Sequence, residues 1–200
     1  MEVERFVLGM YGTNTYMLSI DNDVILVDPA SKAEKLFPVL EGKKLLAVLL
    51  THGHFDHIKA VDGLYEKYKM PIYVHSEDER LIRDKSQRVL FGLPYSPTIS
   101  SPVEHLKEGS MEIGPFKFDV IFTPGHSKGS VCYAFDEYLI AGDTLFKNSV
   151  GRTDLPGGDE SELRASLRVL KELNPCLKVL PGHDDVSVLE DEINNNPFMR

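Results

Sequence analysis

The chain has 200 residues, 42% of them hydrophobic, and a formal net charge of −9. That is enough apolar material for a sizeable core, and the length fits one domain, expected to span residues 1–200. The acidic balance, with no Lys/Arg-rich patch anywhere, argues against a nucleic-acid or anionic-membrane partner, since both surfaces attract positive charge.

No apolar run approaches the ~20 residues of a membrane span. Glu2, Glu4 and Arg5 interrupt the start, which therefore does not read as a signal peptide. Cys132 and Cys176 are far apart and form no CxxC pattern, so both thiols are expected free and the protein cytoplasmic.

In chain order, Val3 to Leu8 and Thr15 to Ile20 predict two strands joined by a turn containing Gly9 and Gly12. Asp21-Asn22-Asp23 is a turn signal leading to a third strand, Val24 to Val27, which ends at Asp28-Pro29. Ser31 is expected to cap a helix running through Ala33, Leu36 and Leu40. Leu45 to Leu50 is an apolar strand. Ile58, Val61, Leu64, Tyr65 and Tyr68 then carry helical spacing as far as Met70-Pro71. Ile72 to Val74 is a short strand. Ser76 is expected to cap a helix whose first turn holds Glu77, Asp78 and Glu79, with Arg80 and Arg83 following, as the helix dipole favours.

Residues 85 to 103 break this rhythm. Gly92, Pro94, Pro97 and Pro102 exclude a regular element, while Val89, Leu90, Phe91, Leu93, Tyr95 and Ile99 are apolar. An irregular stretch this long is expected to be an ordered flap and a wall of the substrate pocket. Phe116 to Phe122 is a strand. Val131 to Phe135 and Leu139 to Ala141 form a hairpin around Asp136-Glu137. Leu163, Leu167 and Leu170 mark a helix entered near Asp159 to Ser161, and Leu177 to Leu180 is the final buried strand. Strands mixed with helices, without strict alternation, predict two sheets with helices outside them.

Residues 51 to 57 read Thr51-His52-Gly53-His54-Phe55-Asp56-His57 and follow the Leu45–Leu50 strand directly. In extended backbone His52 and His54 project to one side, and the turn into the helix can swing Asp56 and His57 toward a second point. One loop can therefore serve two adjacent metal ions, and imidazole nitrogen with carboxylate oxygen suits zinc, iron or manganese. Three later segments share one layout of apolar strand, Gly turn and polar residue: Pro124-Gly125-His126, Gly142-Asp143 and Pro181-Gly182-His183. Together these stretches supply five histidines and two aspartates, the inventory of a two-metal site. His75 and His105 are expected to be ordinary surface histidines, and Cys132 a packing residue.

These motifs resemble those of metallo-β-lactamase-fold hydrolases. His52 to His57 matches the HxHxDH signature, and His126, Asp143 and His183 match the later ligands in order. The similarity extends to the small glyoxalase II-like subgroup through Phe146, Gly151-Arg152-Thr153-Asp154 and Asn196-Pro197-Phe198. The resemblance implies an α+β fold, an αββα four-layer sandwich of two mixed sheets packed face to face. It implies two divalent metal ions per chain, zinc first, with iron or manganese as alternatives. His52, His54 and His126 would hold one. Asp56, His57 and His183 would hold the other, with Asp143 bridging. Asp56 and Asp143 would also serve catalysis. Asp28 would support the ligand loop from behind, although a plain helix cap or turn role for Asp28 remains open.

The activity so implied is cleavage of a thioester or related ester, of the S-lactoylglutathione type, by a metal-bridging hydroxide. Two relatives with this motif leave alternatives: a persulfide dioxygenase with one iron at the positions of His52, His126 and Asp143, and a lactonase. Arg152 matches a basic substrate-binding position and could grip a carboxylate in bidentate fashion. Asp154 departs from the subgroup, which has an aromatic there. Asp184-Asp185 replaces glycine and a small residue, and the C-terminal helical substrate domain of larger relatives is not expected.

Overall fold

A computed structural model describes residues 1–87, 92 and 98–200. Six strands form the first sheet: β1 (Glu2–Leu8), β2 (Thr13–Ile20), β3 (Asp23–Val27), β4 (Lys44–Leu49), β5 (Ile72–Val74) and β6 (Glu104–His105), hydrogen-bonded in that order. The first three run antiparallel as a meander, and β3 to β6 run parallel. The second sheet contains β7 (Gly109–Ile113), β8 (Phe116–Phe122), β9 (Val131–Ala134), β10 (Tyr138–Gly142), β13 (Lys178–Pro181) and β14 (Ser187–Val188), in the order β14-β13-β10-β9-β8-β7. Only the β10–β13 pair in it is parallel. A small hairpin of β11 (Leu145–Phe146) and β12 (Ser149–Val150) follows β10.

The period-2 alternation of the strands sorts their side chains into three apolar layers. Tyr16, Leu18, Ile25, Val27, Ala47 and Leu49 meet Phe118, Val120, Val131, Tyr133, Ile140 and Leu180 between the sheets. The intervening residues Met17, Val24, Leu26, Val48 and Leu50 face outward, under α1 (Phe55–Ile58) and α2 (Val61–Tyr68). On the other side Ile121, Cys132, Leu139 and Val179 pack under α4 (Glu160–Lys171) and α5 (Leu189–Asn195). The result is the expected helix–sheet–sheet–helix sandwich. Asp159 caps α4 by accepting the Glu162 N–H at 2.9 Å, where the sequence places that helix start.

Some elements differ from expectation. Ser31 caps no helix: it sits at φ +67°, and only a 3-10 turn, Ala33–Lys35, follows. The helix predicted to run to Tyr68 is broken at Lys59-Ala60 into α1 and α2, and the Ala60 N–H bonds Pro29 O. Ser76 is not the cap. His75 accepts the Glu77 N–H, a 3-10 turn covers Ser76–Asp78, and α3 (Glu79–Arg83) comes after it. Leu177–Leu180 falls on β13, and only the half-buried two-residue β14 and then α5 follow it. Part of the expected flap, residues 88–91 and 93–97, lies outside the described residues. Among the described residues no helix is long and apolar enough to cross a membrane, and both cysteines are free, Cys132 buried and Cys176 exposed.

Strand direction gathers the site. β3 and β4 of one sheet and β8, β10 and β13 of the other all end at the same edge, and β2 begins there. At that edge the sheets are stitched together: Asn14 N–H to Gly182 O at 2.7 Å, Val131 N–H to Thr51 O at 2.9 Å, Tyr16 OH to Pro181 O at 2.7 Å and Tyr133 OH to Leu50 O at 2.6 Å.

Leu18 is fully buried between the sheets, so Leu18→Ala should destabilise the fold by about 2–5 kcal/mol in denaturant unfolding. Val169→Ala, at a 47% exposed position of α4, should stay within about 0.5 kcal/mol of wild type.

Candidate metal centre

The loop after β4 is fastened before any ligand is considered. Thr51 donates its N–H to Asp28 Oδ1 at 2.8 Å and its hydroxyl to Asp28 Oδ2 at 2.5 Å. Its oxygen then accepts His52 Nδ1–H at 3.1 Å. Asp28 Oδ2 also accepts His57 Nδ1–H at 2.9 Å. On the opposite sheet His126 Nδ1–H donates to Arg152 O at 2.8 Å, and His183 Nδ1–H donates to Tyr11 O at 3.1 Å. Four imidazoles thus have one nitrogen committed as a donor. That orients each ring with its Nε2 aimed inward.

These nitrogens converge. His52, His54 and His126 form one group whose ligand-capable atoms lie within 4.8 Å of one another, and Asp56, His57 and His183 form a second. His54 Nδ1 stands 2.8 Å from His126 Nε2, and His57 Nε2 stands 3.3 Å from His183 Nε2. Asp143 lies between the groups. Its Oδ2 is 3.4 Å from His126 Nε2 and 3.5 Å from His183 Nε2, and its Oδ1 is 3.5 Å from His57 Nε2. Asp56 Oδ2 is 3.3 Å from His183 Nε2 and accepts the Thr13 hydroxyl at 3.0 Å. Every sequence-predicted ligand is therefore in one cluster. Asp28 also falls within 4.8 Å of His52 and His57, but its oxygens are already taken by Thr51 and His57.

The donor set fits cations. Two ring nitrogens about 3 Å apart either share a proton in a hydrogen bond or face a common cation. Among the described residues, His52 Nε2 and Asp143 Oδ1 are buried with no hydrogen-bond partner, a costly condition that a metal would relieve. Electrostatics agree. Burial, reinforced by the neighbouring histidines, holds His52 and His54 well below the usual imidazole range, as neutral ligands require. Burial also opposes a charge on His57, yet Asp56, Asp143 and Asp28 outweigh it and raise that imidazole from 6.5 to about 10. Burial alone would raise Asp56, but His57 and His183 reverse it and keep the carboxyl well below its ordinary range. The carboxylates thus favour positive charge at the inner face of His57, where a proton substitutes for a metal.

Two glycines make the approach possible. A Cβ at Gly182 would strike Asp143 Oδ1 and His57 Cε1, and one at Gly125, with φ +133°, would strike the Leu163 backbone at the start of α4. A cavity of about 340 Å³ opens over the cluster, walled by Tyr11, Phe55, Arg152 and Leu155. Tyr11 meets Phe55 edge-on at 5.2 Å. Arg152 reaches this mouth, but its guanidinium is gripped by Asp154 through bonds of 2.6 and 2.7 Å. Asp184 and Asp185 are exposed. His75 stacks on Phe122 and His105 pairs with Glu79, both away from the cluster.

Several residues that shape the site carry no signal of that role in the sequence: Thr13, Tyr11 through its carbonyl, Asp78 and Gln87. Gln87 accepts the Phe55 N–H at 3.0 Å and donates to Gly53 O at 3.2 Å. In the sequence Asp78 reads only as part of a helix's acidic first turn.

An αββα sandwich with two triads of nitrogen and oxygen donors around a shared carboxylate defines a metal-dependent hydrolase scaffold. The chain belongs to the metallo-β-lactamase superfamily, whose sequence profile matches residues 8–183. It is 37% identical to a probable metallo-hydrolase, YqgX, of Bacillus subtilis, over 100% of this chain and 98% of that one. It is 30% identical to the hydroxyacylglutathione hydrolase GloC of Haemophilus influenzae, with the same coverage. Among solved structures, the B3 metallo-β-lactamase BLEG-1 superposes with a TM-score of 0.91 at 38% identity, covering 99% of both chains. A di-iron-bound form of TTHA1623 gives 0.90 at 38%, covering 98% of this chain and 100% of that one. ETHE1 from Myxococcus xanthus gives 0.80 at 27%, covering 98% and 84%.

Metal uptake by the chelated protein should release protons, because His57, at about 10, must give up its Nε2 proton before binding. Affinity should therefore rise with pH through the neutral range and up to about 10. Calorimetry in buffers of different ionisation enthalpy measures the release, and a heat independent of buffer would contradict it.

Proposed function

We propose that this metallo-hydrolase holds two divalent cations and cleaves a small-molecule thioester or related ester. The observation that supports it is the place of Asp143, within 3.5 Å of imidazoles from both triads. His52, His54 and His126 are assigned to one cation, Asp56, His57 and His183 to the other, and Asp143 to both. Zinc suits this donor set best, with iron or manganese compatible. Bound there, the cations supply a water acidified enough to attack at neutral pH and a Lewis acid for the substrate carbonyl.

The chain's own residues do the rest. Asp28 and Thr51 keep His57 and His52 in the donor orientation. Asp143 Oδ1, buried and without a hydrogen-bond partner, is the oxygen assigned to the cation beside His57. Asp56 stays ionised throughout the working pH range and offers a second acceptor beside His183. Tyr11, Phe55 and Leu155 line an apolar mouth that suits an acyl or thiol chain. The likeness to GloC supports a thioester carrying glutathione, but Asp154 occupies the Nε–Nη2 edge of Arg152 that would clamp that peptide's carboxylates. Thioester hydrolysis is thus the first choice, with glutathione as one substrate to be tested. A cytoplasmic setting accords with the free thiols.

Elemental analysis of protein purified without added metal should find two cations per chain, and the protein should hydrolyse thioesters in preference to lactones and β-lactams. Asp143→Ala should lower kcat/KM by more than the ~10–100-fold typical of residues behind the ligands, and should release metal. One iron per chain with oxygen uptake on a persulfide would select the mononuclear oxygenase instead, and lactones as the best substrates would select the lactonase.

A further inference from the structure

Asp78 is 1% exposed and belongs to neither triad. Its carboxylate nonetheless reaches both ligand loops. Oδ2 accepts Gly53 N–H at 2.8 Å and the Ser127 hydroxyl at 2.7 Å, and Oδ1 accepts Gly129 N–H at 2.7 Å. Gly53 lies between His52 and His54, and Ser127 follows His126. One buried side chain therefore grips the immediate neighbour of every member of the first triad. The fit is close: a Cβ on Gly129 would come within 2.7 Å of Asp78 Cβ, Cγ and N.

We propose that Asp78 is a positioning residue for the first cation site, setting the separation of the His52–His54 loop from the His126 turn. Burying a carboxylate is costly, and no salt-bridge partner neutralises this one among the described residues. Burial pushes its carboxyl up even though three donors pull it down. What a carboxylate provides here is two acceptor atoms facing three donors. An amide of the same shape has one acceptor and would set its NH2 against a backbone N–H, whichever way it turned. Gln87 holds Gly53 O and Phe55 N–H from the same chain segment, so residues 76–87 bracket the loop from one side. The second triad is held differently. Asp28 orients His57, Thr13 bonds Asp56 and the Tyr11 carbonyl orients His183, and none of these groups bonds to Asp78. The role is therefore specific to one of the two sites.

This assignment rests on the two-cation reading, and one titration tests both. Full-length apoprotein is titrated with cobalt(II), followed by calorimetry and by visible absorption. Wild type should take up two equivalents. Asp78→Asn should keep one binding step unchanged, weaken the other by about 10–100-fold and alter the absorption of the weakened site. Ser127→Ala removes a single donor and should weaken the same step by about tenfold or less, which decides the matter should Asp78→Asn fail to fold. Leu18→Ala, equally or more destabilised, should keep both steps and both spectra, which separates positioning from a loss of overall stability. Two unaltered steps in the Asp78 and Ser127 variants, with two cations in wild type, would overturn the role of Asp78 and leave the binuclear reading standing. Fewer than two cations in wild type would overturn both.

Discussion

The whole arrangement depends on the seam where the two sheets are bonded to each other at one edge. Ligands come from both sheets, so the distance from His54 to His126, or from His57 to His183, is a distance between sheets. Apolar packing between sheets is strong but not directional, and it would tolerate a slide of an ångström or more. The bonds from Asn14, Tyr16, Val131 and Tyr133 do not, because each is a short buried bond to main chain on the opposite sheet. Their acceptors, Leu50, Thr51, Pro181 and Gly182, lie within two residues of His52 or His183. A frame fixed at that edge turns separate loops into one cage.

The cage is electrostatically frustrated when it holds no cation. Imidazoles face each other across about 3 Å, two buried polar atoms lack partners, and His57 carries a proton forced on it by three carboxylates. The partnerless atoms oppose folding, whereas the tighter hold on the His57 proton favours the folded chain at low pH and fades as pH rises to about 10. These features are sustained by the three apolar layers around them, which hold the backbone in place while the polar groups wait for positive charge. Metal affinity and fold stability are thereby coupled, and a cation that binds only the folded chain stabilises it by mass action.

The first cluster was legible because its chemistry is dense and local: His52, His54, Asp56 and His57 fall within six consecutive residues after an apolar run. His126, Asp143 and His183 were legible through a repeated layout of strand, glycine and polar residue, reinforced by family likeness. The apolar runs of β3 and β4, and strands mixed with helices without strict alternation, disclosed the sandwich. What stayed hidden has common physical causes. The break at Lys59-Ala60 depends on a bond from Pro29, a partner far away in sequence. Strands as short as β6 and β14 have no period to detect. Asp78 satisfies two explanations at once, an acid in the first turn of a helix and a buried anchor, and only three-dimensional neighbours distinguish them. Arg152 was matched to a position, but the pairing that closes its guanidinium depends on where Asp154 turns.

His126 and His183 lean on the main-chain oxygens of Arg152 and Tyr11, two residues whose side chains border the cavity. A carbonyl persists through almost any change of side chain. The orienting half of each residue is therefore insulated from the half that meets a ligand, and positions 11 and 152 are free to diversify across generations without loosening the imidazoles behind them. That separation gives a lineage room to exchange one substrate for another while inheriting the same reactive core.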